Sequence, residues 1–148
     1  MRLLSTDLSS GLRHIDFPPS DIPPYAILSH TWEQDEVQYS DVITGTAATR
    51  AGYDKLRDAC RRALDDGFAY IWIDTCCIDK SSSAELSEAI NSMFAWYRDS
   101  NVCYAFLSDF DPRQDSVSFS DCRWFTRGWT LQELIAPRTI LFFDAAWN

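Results

Sequence analysis

Phe68-Ala-Tyr-Ile-Trp-Ile73 is a continuous apolar run that directly follows an amphipathic segment from Tyr53 to Asp66. In that segment apolar residues recur at helical spacing, and Gly67 is a suitable stop for the predicted helix. A strand that is apolar at every position is typical of a parallel sheet buried on both faces. The stretch therefore predicts a helix followed by a buried parallel strand.

The same alternation of strands and helices continues along the chain. Short apolar runs predict strands at Tyr25–Ser29, Val102–Leu107 and Thr139–Phe143, and helices are predicted over 82–100 and 126–135. Strands that alternate with helices are joined by right-handed crossovers and form a parallel sheet. The sequence therefore predicts an α/β domain, with ligands bound beyond the carboxyl ends of its strands.

Residues 1–24 differ in character from the rest of the chain. They are polar and end in the proline-rich stretch Pro18–Pro24. We predict a lead-in with one short strand at Arg2–Leu4, followed by a single domain over residues 25–148. The chain of 148 residues has the size of one domain.

Composition and charge exclude several classes of binding partner and cellular location. The chain carries a net charge of −9, which disfavours binding to nucleic acids and to anionic membrane surfaces. No apolar run reaches the 18 or so residues that a membrane span needs, and the N-terminus does not resemble a secretory signal. The five cysteines include the adjacent pair Cys76 and Cys77 and do not suggest a disulfide framework. These features predict a cytoplasmic protein.

Several common functional motifs are absent from the sequence. It contains neither a G-x-G-x-x-G nor a G-x-x-x-x-G-K-[ST] phosphate loop. His30 with Cys76 and Cys77 is a conceivable zinc site, but the three ligands cannot converge if the cysteines lie on a regular strand, because neighbouring strand residues face opposite sides. We therefore predict no metal site.

Polar and aromatic residues close the first two predicted parallel strands. His30 and Trp32 follow the first strand, and Asp74 follows the second. Their position is that of ligand-binding residues in α/β folds. The alternative is structural: Trp32 packs in the core, His30 caps a loop and Asp74 accepts backbone hydrogen bonds in a turn.

The predicted helix before the last strand has two distinct faces. Leu131, Leu134 and Ile135 share one face, whereas Trp129 and Glu133, four residues apart, share the opposite one. The pairing of an indole with a carboxylate predicts that the second face lines a cleft or a partner surface. The alternative is a surface glutamate beside a half-buried tryptophan.

Four segments together resemble the fungal heterokaryon incompatibility (HET) domain and run in that family's order. They are Tyr25-Ala-Ile-Leu-Ser-His-Thr-Trp32, Tyr70-Ile-Trp-Ile-Asp-Thr-Cys-Cys-Ile-Asp-Lys80, Glu85-Leu-Ser-Glu-Ala-Ile-Asn-Ser-Met-Phe94 and Arg127-Gly-Trp-Thr-Leu-Gln-Glu-Leu134. The family usually has glycine after the tryptophan of the first segment. Here that position is Glu33, which adds a charge at the expected mouth of a site.

The HET domain in turn resembles the TIR domain, a flavodoxin-like three-layer fold with a parallel sheet of four to five strands flanked by helices. NAD-cleaving TIR enzymes carry a glutamate four residues after a tryptophan, and Trp129 and Glu133 match that spacing. The resemblance implies that Glu133 is the catalytic residue. It also implies a set of substrate-binding residues, which are His30, Trp32, Asp74, Cys76, Arg127, Trp129 and Trp147.

The resemblance implies a cell-death effector in fungal heterokaryon incompatibility and innate immunity. Its activity would be that of an NAD glycohydrolase (NADase), active as an oligomer, with NAD or a related nucleotide as substrate and no cofactor. The alternative is a non-catalytic TIR-like module that signals by self-association. A third interpretation, an α/β binding domain of unrelated function, stays open.

The family resemblance also implies a partner. HET domains often head longer receptors of the NLR type, with nucleotide-binding and repeat regions, so the domain is expected to be fused to such a receptor or to work beside one. TIR-type sheets have a fifth strand after the last one predicted here. Either the domain lacks it or the chain is a fragment of a longer protein.

Overall fold

A computed structural model describes residues 1–113 and 117–148. Within these residues a six-stranded sheet forms the centre of the protein, and helices cover it. The strands are β1 (Arg2–Ser5), β2 (His14–Asp16), β3 (Ala26–His30), β4 (Tyr70–Trp72), β5 (Val102–Phe106) and β6 (Ile140–Phe143). Their order in the sheet is β2-β1-β4-β3-β5-β6.

The last four strands are parallel, and the first two are not. β3 lies between β4 and β5, and β6 pairs with β5, all in parallel. β1 runs antiparallel to both β2 and β4. The α/β class and the four predicted parallel strands are therefore confirmed, with an antiparallel extension on one side.

Five α-helices connect or flank these strands in the described residues. They are α1 (Tyr39–Thr44), α2 (Tyr53–Asp65), α3 (Asp74–Cys77), α4 (Ser83–Asp99) and α5 (Thr130–Ile135). Short 3₁₀ segments occupy Ala47–Thr49, Phe119–Asp121 and Arg123–Thr126. The predicted helix after Gly52 is α2, whose face of Leu56, Ala59, Cys60 and Ala63 is buried as its spacing indicates.

The first residues of the chain take part in the sheet. The predicted strand near the N-terminus is confirmed as β1, where Leu3 and Leu4 are fully buried. β2, the sequence His-Ile-Asp, was not predicted because three residues of mixed polarity carry no strand pattern. Both strands join the same sheet as the other four.

Cys76 and Cys77 do not lie on a strand, which was the condition for excluding them as paired zinc ligands. β4 ends at Trp72, and Asp74 begins the one-turn helix α3, which carries both cysteines. Both side chains are buried, and the Cys77 Sγ accepts a hydrogen bond from the Ile73 N–H at 3.4 Å. The argument against a zinc site from strand alternation therefore does not hold for this turn.

The last helix begins later than predicted, and its aliphatic face is exposed. α5 begins at Thr130 rather than Thr126, because a 3₁₀ turn occupies Arg123–Thr126. Leu131 and Ile135 are 67% and 62% exposed, whereas Glu133 is only 2% exposed. The face with the carboxylate points inward and the face with the aliphatic residues points outward.

None of the helices in the described residues is both long enough and apolar enough to cross a membrane.

The N-terminal strand gives a first test. Replacing the fully buried Leu4 of β1 by alanine should lower the free energy of unfolding by about 2–5 kcal/mol, because it leaves a cavity in the core. Ile43→Ala in α1, where the side chain is 61% exposed, should change it by less than about 0.5 kcal/mol. Urea unfolding followed by circular dichroism measures both, and equal small losses would show that β1 is dispensable.

Candidate functional site

A cavity of about 520 Å³ lies beyond the carboxyl ends of β3 and β4. Thr31 and Trp32 follow β3, Asp74 follows β4, and α4 and the start of α5 close the other sides. This is the edge of a parallel sheet at which α/β proteins bind ligands. The lining residues are Thr31, Trp32, Asp74, Ile78, Lys80, Leu86, Ile90, Met93, Arg127, Gly128, Trp129 and Glu133.

Glu133 forms part of the cavity wall and is tightly held. Its Oε2 accepts a hydrogen bond from Ser29 Oγ at 2.5 Å and another from Arg127 Nη1 at 2.8 Å. Its Oε1 accepts from Arg127 Nη2 at 3.1 Å. The guanidinium thus binds both carboxylate oxygens, the geometry in which arginine binds a carboxylate most strongly.

A second layer of contacts fixes the position of Ser29. Trp124 is fully buried and donates from its Nε1 to the Ser29 Oγ at 2.7 Å. Thr130, at the start of α5, donates from its hydroxyl to the Trp124 carbonyl at 2.5 Å. The chain of contacts from Trp124 through Ser29 to Glu133 therefore ties α5 to the central strand β3.

Asp74 is the second carboxylate of the cavity. His30 Nε2 lies 3.1 Å from its Oδ1, and Trp32 Nε1 donates to its Oδ2 at 2.9 Å. Burial of the carboxylate opposes ionisation, but the contacts with His30 and Trp32 and the charge of Lys80 outweigh it and lower the pKa of Asp74. Asp74 is therefore ionised at neutral pH.

Lys80 and the two exposed indoles lie around the cavity. The Lys80 Nζ lies 4.0 Å from the centre of the Trp32 ring, a cation–π distance, and donates to Gln38 Oε1 at 3.3 Å. Burial lowers the pKa of Lys80 below its ordinary value. Trp32 and Trp129 are about half exposed, at 52% and 50%, so both present ring surface that a ligand can cover.

Five of the eight predicted site residues lie together. Trp32, Asp74, Arg127, Trp129 and Glu133 all line the cavity. The alternative of a surface glutamate is wrong for Glu133, and the alternative of a core tryptophan is wrong for Trp32.

Three predicted site residues lie elsewhere. His30 is buried behind Asp74 and reaches the cavity only through that carboxylate. Cys76 is fully buried on α3, and burial raises the pKa of its thiol. Trp147 stacks on Phe106 with ring centres 4.8 Å apart and lies against Phe143 rather than in the cavity wall.

Sequence reasoning missed the apolar wall and the buried support. Leu86, Ile90 and Met93 of α4 line the cavity, although their helical spacing suggests an ordinary core face. Ser29 donates a hydrogen bond to Glu133, and Trp124 donates one to Ser29, although Ser29 is far from both in sequence. No local pattern could reveal them, although Ser29 lies within the first of the four segments that resemble the HET domain.

The donor set of the cavity does not suggest a metal centre. Within residues 1–113 and 117–148, no group of three or more His, Cys, Asp or Glu side chains is placed to hold a metal ion. The two cavity carboxylates each have close protein partners. The site instead combines two carboxylates, two cations, two indoles and an apolar wall from α4.

Comparison with known proteins finds a family model and a relative that both concern fungal incompatibility. The family model described as heterokaryon incompatibility protein (HET) matches residues 25–122. The vegetative incompatibility protein HET-E-1 of Podospora anserina is 50% identical in an alignment of length 155 that covers 97% of this chain. The chain spans only 11% of the length of that relative. No solved structure matches the chain.

The Arg127–Glu133 pair gives an asymmetric prediction. Arg127→Gln should lower the free energy of unfolding by about 3–5 kcal/mol, because it leaves a buried carboxylate without its cation. Glu133→Gln should cost less, since the freed guanidinium is partly exposed, and the double variant should resemble Glu133→Gln alone. Urea unfolding of the three variants measures this cycle. Arg123→Gln, which breaks an exposed ion pair, should cost at most about 1 kcal/mol.

Asp74 gives a prediction on pH. Because the folded protein holds its pKa below the ordinary 3.8, ionised Asp74 stabilises the fold above that pH, and this contribution is lost as the pH falls through the folded pKa. The difference in unfolding free energy between the wild type and Asp74→Asn should therefore be largest near neutral pH and shrink below about pH 4. Asp65→Asn, at an exposed carboxylate, serves as the control. A difference that grows in acid would contradict the assignment.

Proposed function

The chain belongs to the heterokaryon incompatibility family, and on that basis we propose that it is a fungal cell-death domain that cleaves NAD at the nicotinamide–ribose bond. The observation that carries the proposal is the position of Glu133. A buried carboxylate lines the cavity at the carboxyl ends of the parallel strands, where α/β folds bind nucleotides.

The strand order supports the link to TIR-like enzymes. Numbered along the chain, the four parallel strands β3, β4, β5 and β6 lie in the order second, first, third, fourth. This order is that of flavodoxin-like sheets. We propose that the domain shares this architecture with NAD-cleaving TIR domains and binds NAD as a substrate rather than as a cofactor.

The chemistry needs only one carboxylate. The bond between ribose C1′ and the nicotinamide nitrogen breaks, and its electron pair goes to the nitrogen, which thereby loses its positive charge. Water then adds to C1′ and releases a proton, giving ADP-ribose. Since nicotinamide leaves as a neutral molecule, no acid is needed, and Glu133 stabilises the positive charge that develops on the ribose.

The remaining cavity residues have matching roles. The half-exposed rings of Trp32 and Trp129 offer stacking surfaces for the flat bases. Leu86, Ile90 and Met93 provide an apolar wall that excludes water from the reacting bond. Arg127 and Lys80 offer positive charge to the diphosphate.

Release of nicotinamide tests the proposal. The purified domain, concentrated with a crowding agent, should release nicotinamide from NAD, as measured by chromatography. Glu133→Gln should reduce the rate by at least about 100-fold, the typical effect of removing a group that stabilises transition-state charge. Glu88→Gln, at an exposed carboxylate on α4 outside the cavity, should keep the wild-type rate.

Two outcomes would contradict it. Release that survives in Glu133→Gln would mean that another group is the catalyst. No release from the wild type, at a concentration where sedimentation shows self-association, would favour a non-catalytic role. Thermal unfolding of Glu133→Gln shows whether a lower rate of nicotinamide release reflects a lost carboxylate or an unfolded protein.

The second candidate function is a non-catalytic module that signals by self-association. The observation in its favour is the apolar surface of α4 and α5. Phe94 on α4 and Leu131 and Ile135 on α5 are 45%, 67% and 62% exposed, and exposed large apolar side chains favour an interaction surface. Self-association is compatible with the enzyme as well, since clustering could activate it.

We propose a cellular context on the same basis. The domain acts in the cytoplasm, fused to or beside a receptor of the NLR type, and triggers programmed cell death. Support comes from the relative HET-E-1, a vegetative incompatibility protein of which a chain of this size is a small part.

A further inference from the structure

Arg127 occupies the carboxylate that the proposed reaction needs. Both oxygens of Glu133 already accept hydrogen bonds, Oε2 from Ser29 and Arg127 and Oε1 from Arg127. The guanidinium also neutralises the charge of Glu133, which the proposed reaction needs in order to stabilise a positively charged ribose. Arg127 has to move away before Glu133 can offer its full charge to a substrate.

Arg127 is the partner placed to move. Ser29 lies within β3, is 1% exposed and is fixed from behind by the buried Trp124. Arg127 follows a 3₁₀ turn, lines the cavity, and has a side chain that is 19% exposed. Its guanidinium can turn toward a ligand in the cavity without disturbing the sheet.

The burial of Glu133 sets a condition on this movement. A carboxylate whose side chain is 3% exposed is strongly destabilised when its cation leaves and nothing replaces it. Arg127 therefore leaves readily only if a positive group reaches Glu133 while a negative group takes up Arg127. A ligand with a single charge can bind either Arg127 or Glu133, and it leaves the other without a counter-charge.

We propose that Arg127 and Glu133 form an exchangeable ion pair that opens only for a dinucleotide carrying both a cationic ring and a diphosphate. This inference rests on the proposed function. The diphosphate binds Arg127, and Lys80 is a second cation on the cavity wall. The pyridinium ring and its ribose bind Glu133. Arg127 is thereby a specificity-determining residue that keeps the carboxylate covered until the correct substrate arrives.

The exchange ranks ligands by charge pattern. Oxidised NAD satisfies both partners. The nicotinamide ring of NADH is uncharged, and ADP-ribose lacks the nicotinamide ring, so each leaves Glu133 without a cation. Both should bind the wild-type protein more weakly than oxidised NAD does, although they share its diphosphate.

Titration calorimetry with three probes tests the exchange. The probes are ADP-ribose, NADH and the carbocyclic analogue of NAD, in which a methylene group replaces the ring oxygen of the ribose so that the bond is not cleaved. The wild type should bind the carbocyclic analogue at least about tenfold more tightly than the other two, a difference easily resolved. This ranking requires no variant.

Glu133→Gln gives the sharper result. With the carboxylate uncharged, Arg127 is free before binding, so ADP-ribose should bind about tenfold more tightly than to the wild type, and the preference for the cationic analogue should vanish. Glu88→Gln removes the same charge outside the cavity and should change neither affinity. Arg127→Gln should lose most of its affinity for ADP-ribose.

Several results would overturn the inference. They are equal binding of the three probes to the wild type, unchanged or weaker binding of ADP-ribose to a folded Glu133→Gln, and no binding of ADP-ribose to either protein. Nicotinamide release with any of these results would leave the proposed function standing and remove only the exchange. The expected binding pattern without nicotinamide release would support the exchange and contradict the proposed cleavage.

Discussion

A single buried charge governs the end of the sheet. The Glu133 carboxylate is almost removed from water, and such a charge is tolerated only with close partners. Ser29 supplies a hydroxyl from the central strand, and Arg127 supplies a cation from the turn before α5. These contacts decide which face of α5 points inward and thereby form one wall of the cavity. The aliphatic residues of the helix are left outside as a result.

Asp74 repeats the principle at the neighbouring strand. His30 and Trp32, which follow one another closely at the end of β3, bind its two oxygens from one side. The two carboxylates thus lie close to the ends of the parallel strands, each held by groups from β3 or the residues after it. A cavity built in this way has fixed charges of both signs on one side and the aliphatic side chains of α4 on the other. The proposed substrate, a flat molecule with charges of both signs, is matched to this combination of charged and apolar surface.

The sequence predicted the parallel strands and a cleft-lining face for Trp129 and Glu133, but not that the aliphatic face of α5 would be left exposed. Continuous apolar runs such as Val102–Phe106 have no alternative to burial, so their pattern is decisive. A helical wheel instead shows that two faces differ, but not which one is inside. For α5 the answer depends on Ser29 and Trp124, whose contacts form only in the folded chain. β2 and the turn of α3 were missed because three or four residues carry too little pattern. The clustering of Trp32, Asp74, Arg127, Trp129 and Glu133 was predictable, since strand ends and one helix face converge in any parallel sheet. The position of Trp147 was not, because its ring packs on Phe106 and Phe143 after the last strand.

The layered support of Glu133 has an evolutionary consequence. Glutamine has the same shape as glutamate and can keep the contact with Ser29, and one nucleotide change converts a glutamate codon to a glutamine codon. Under the proposed mechanism, such an allele would encode a folded protein without catalytic activity, and its exposed α4 and α5 surface would be unaltered. Under the proposed self-association, a cell that carries both alleles would form mixed assemblies of active and inactive copies. An incompatibility locus with this architecture could therefore acquire dominant suppressors by the smallest possible genetic step.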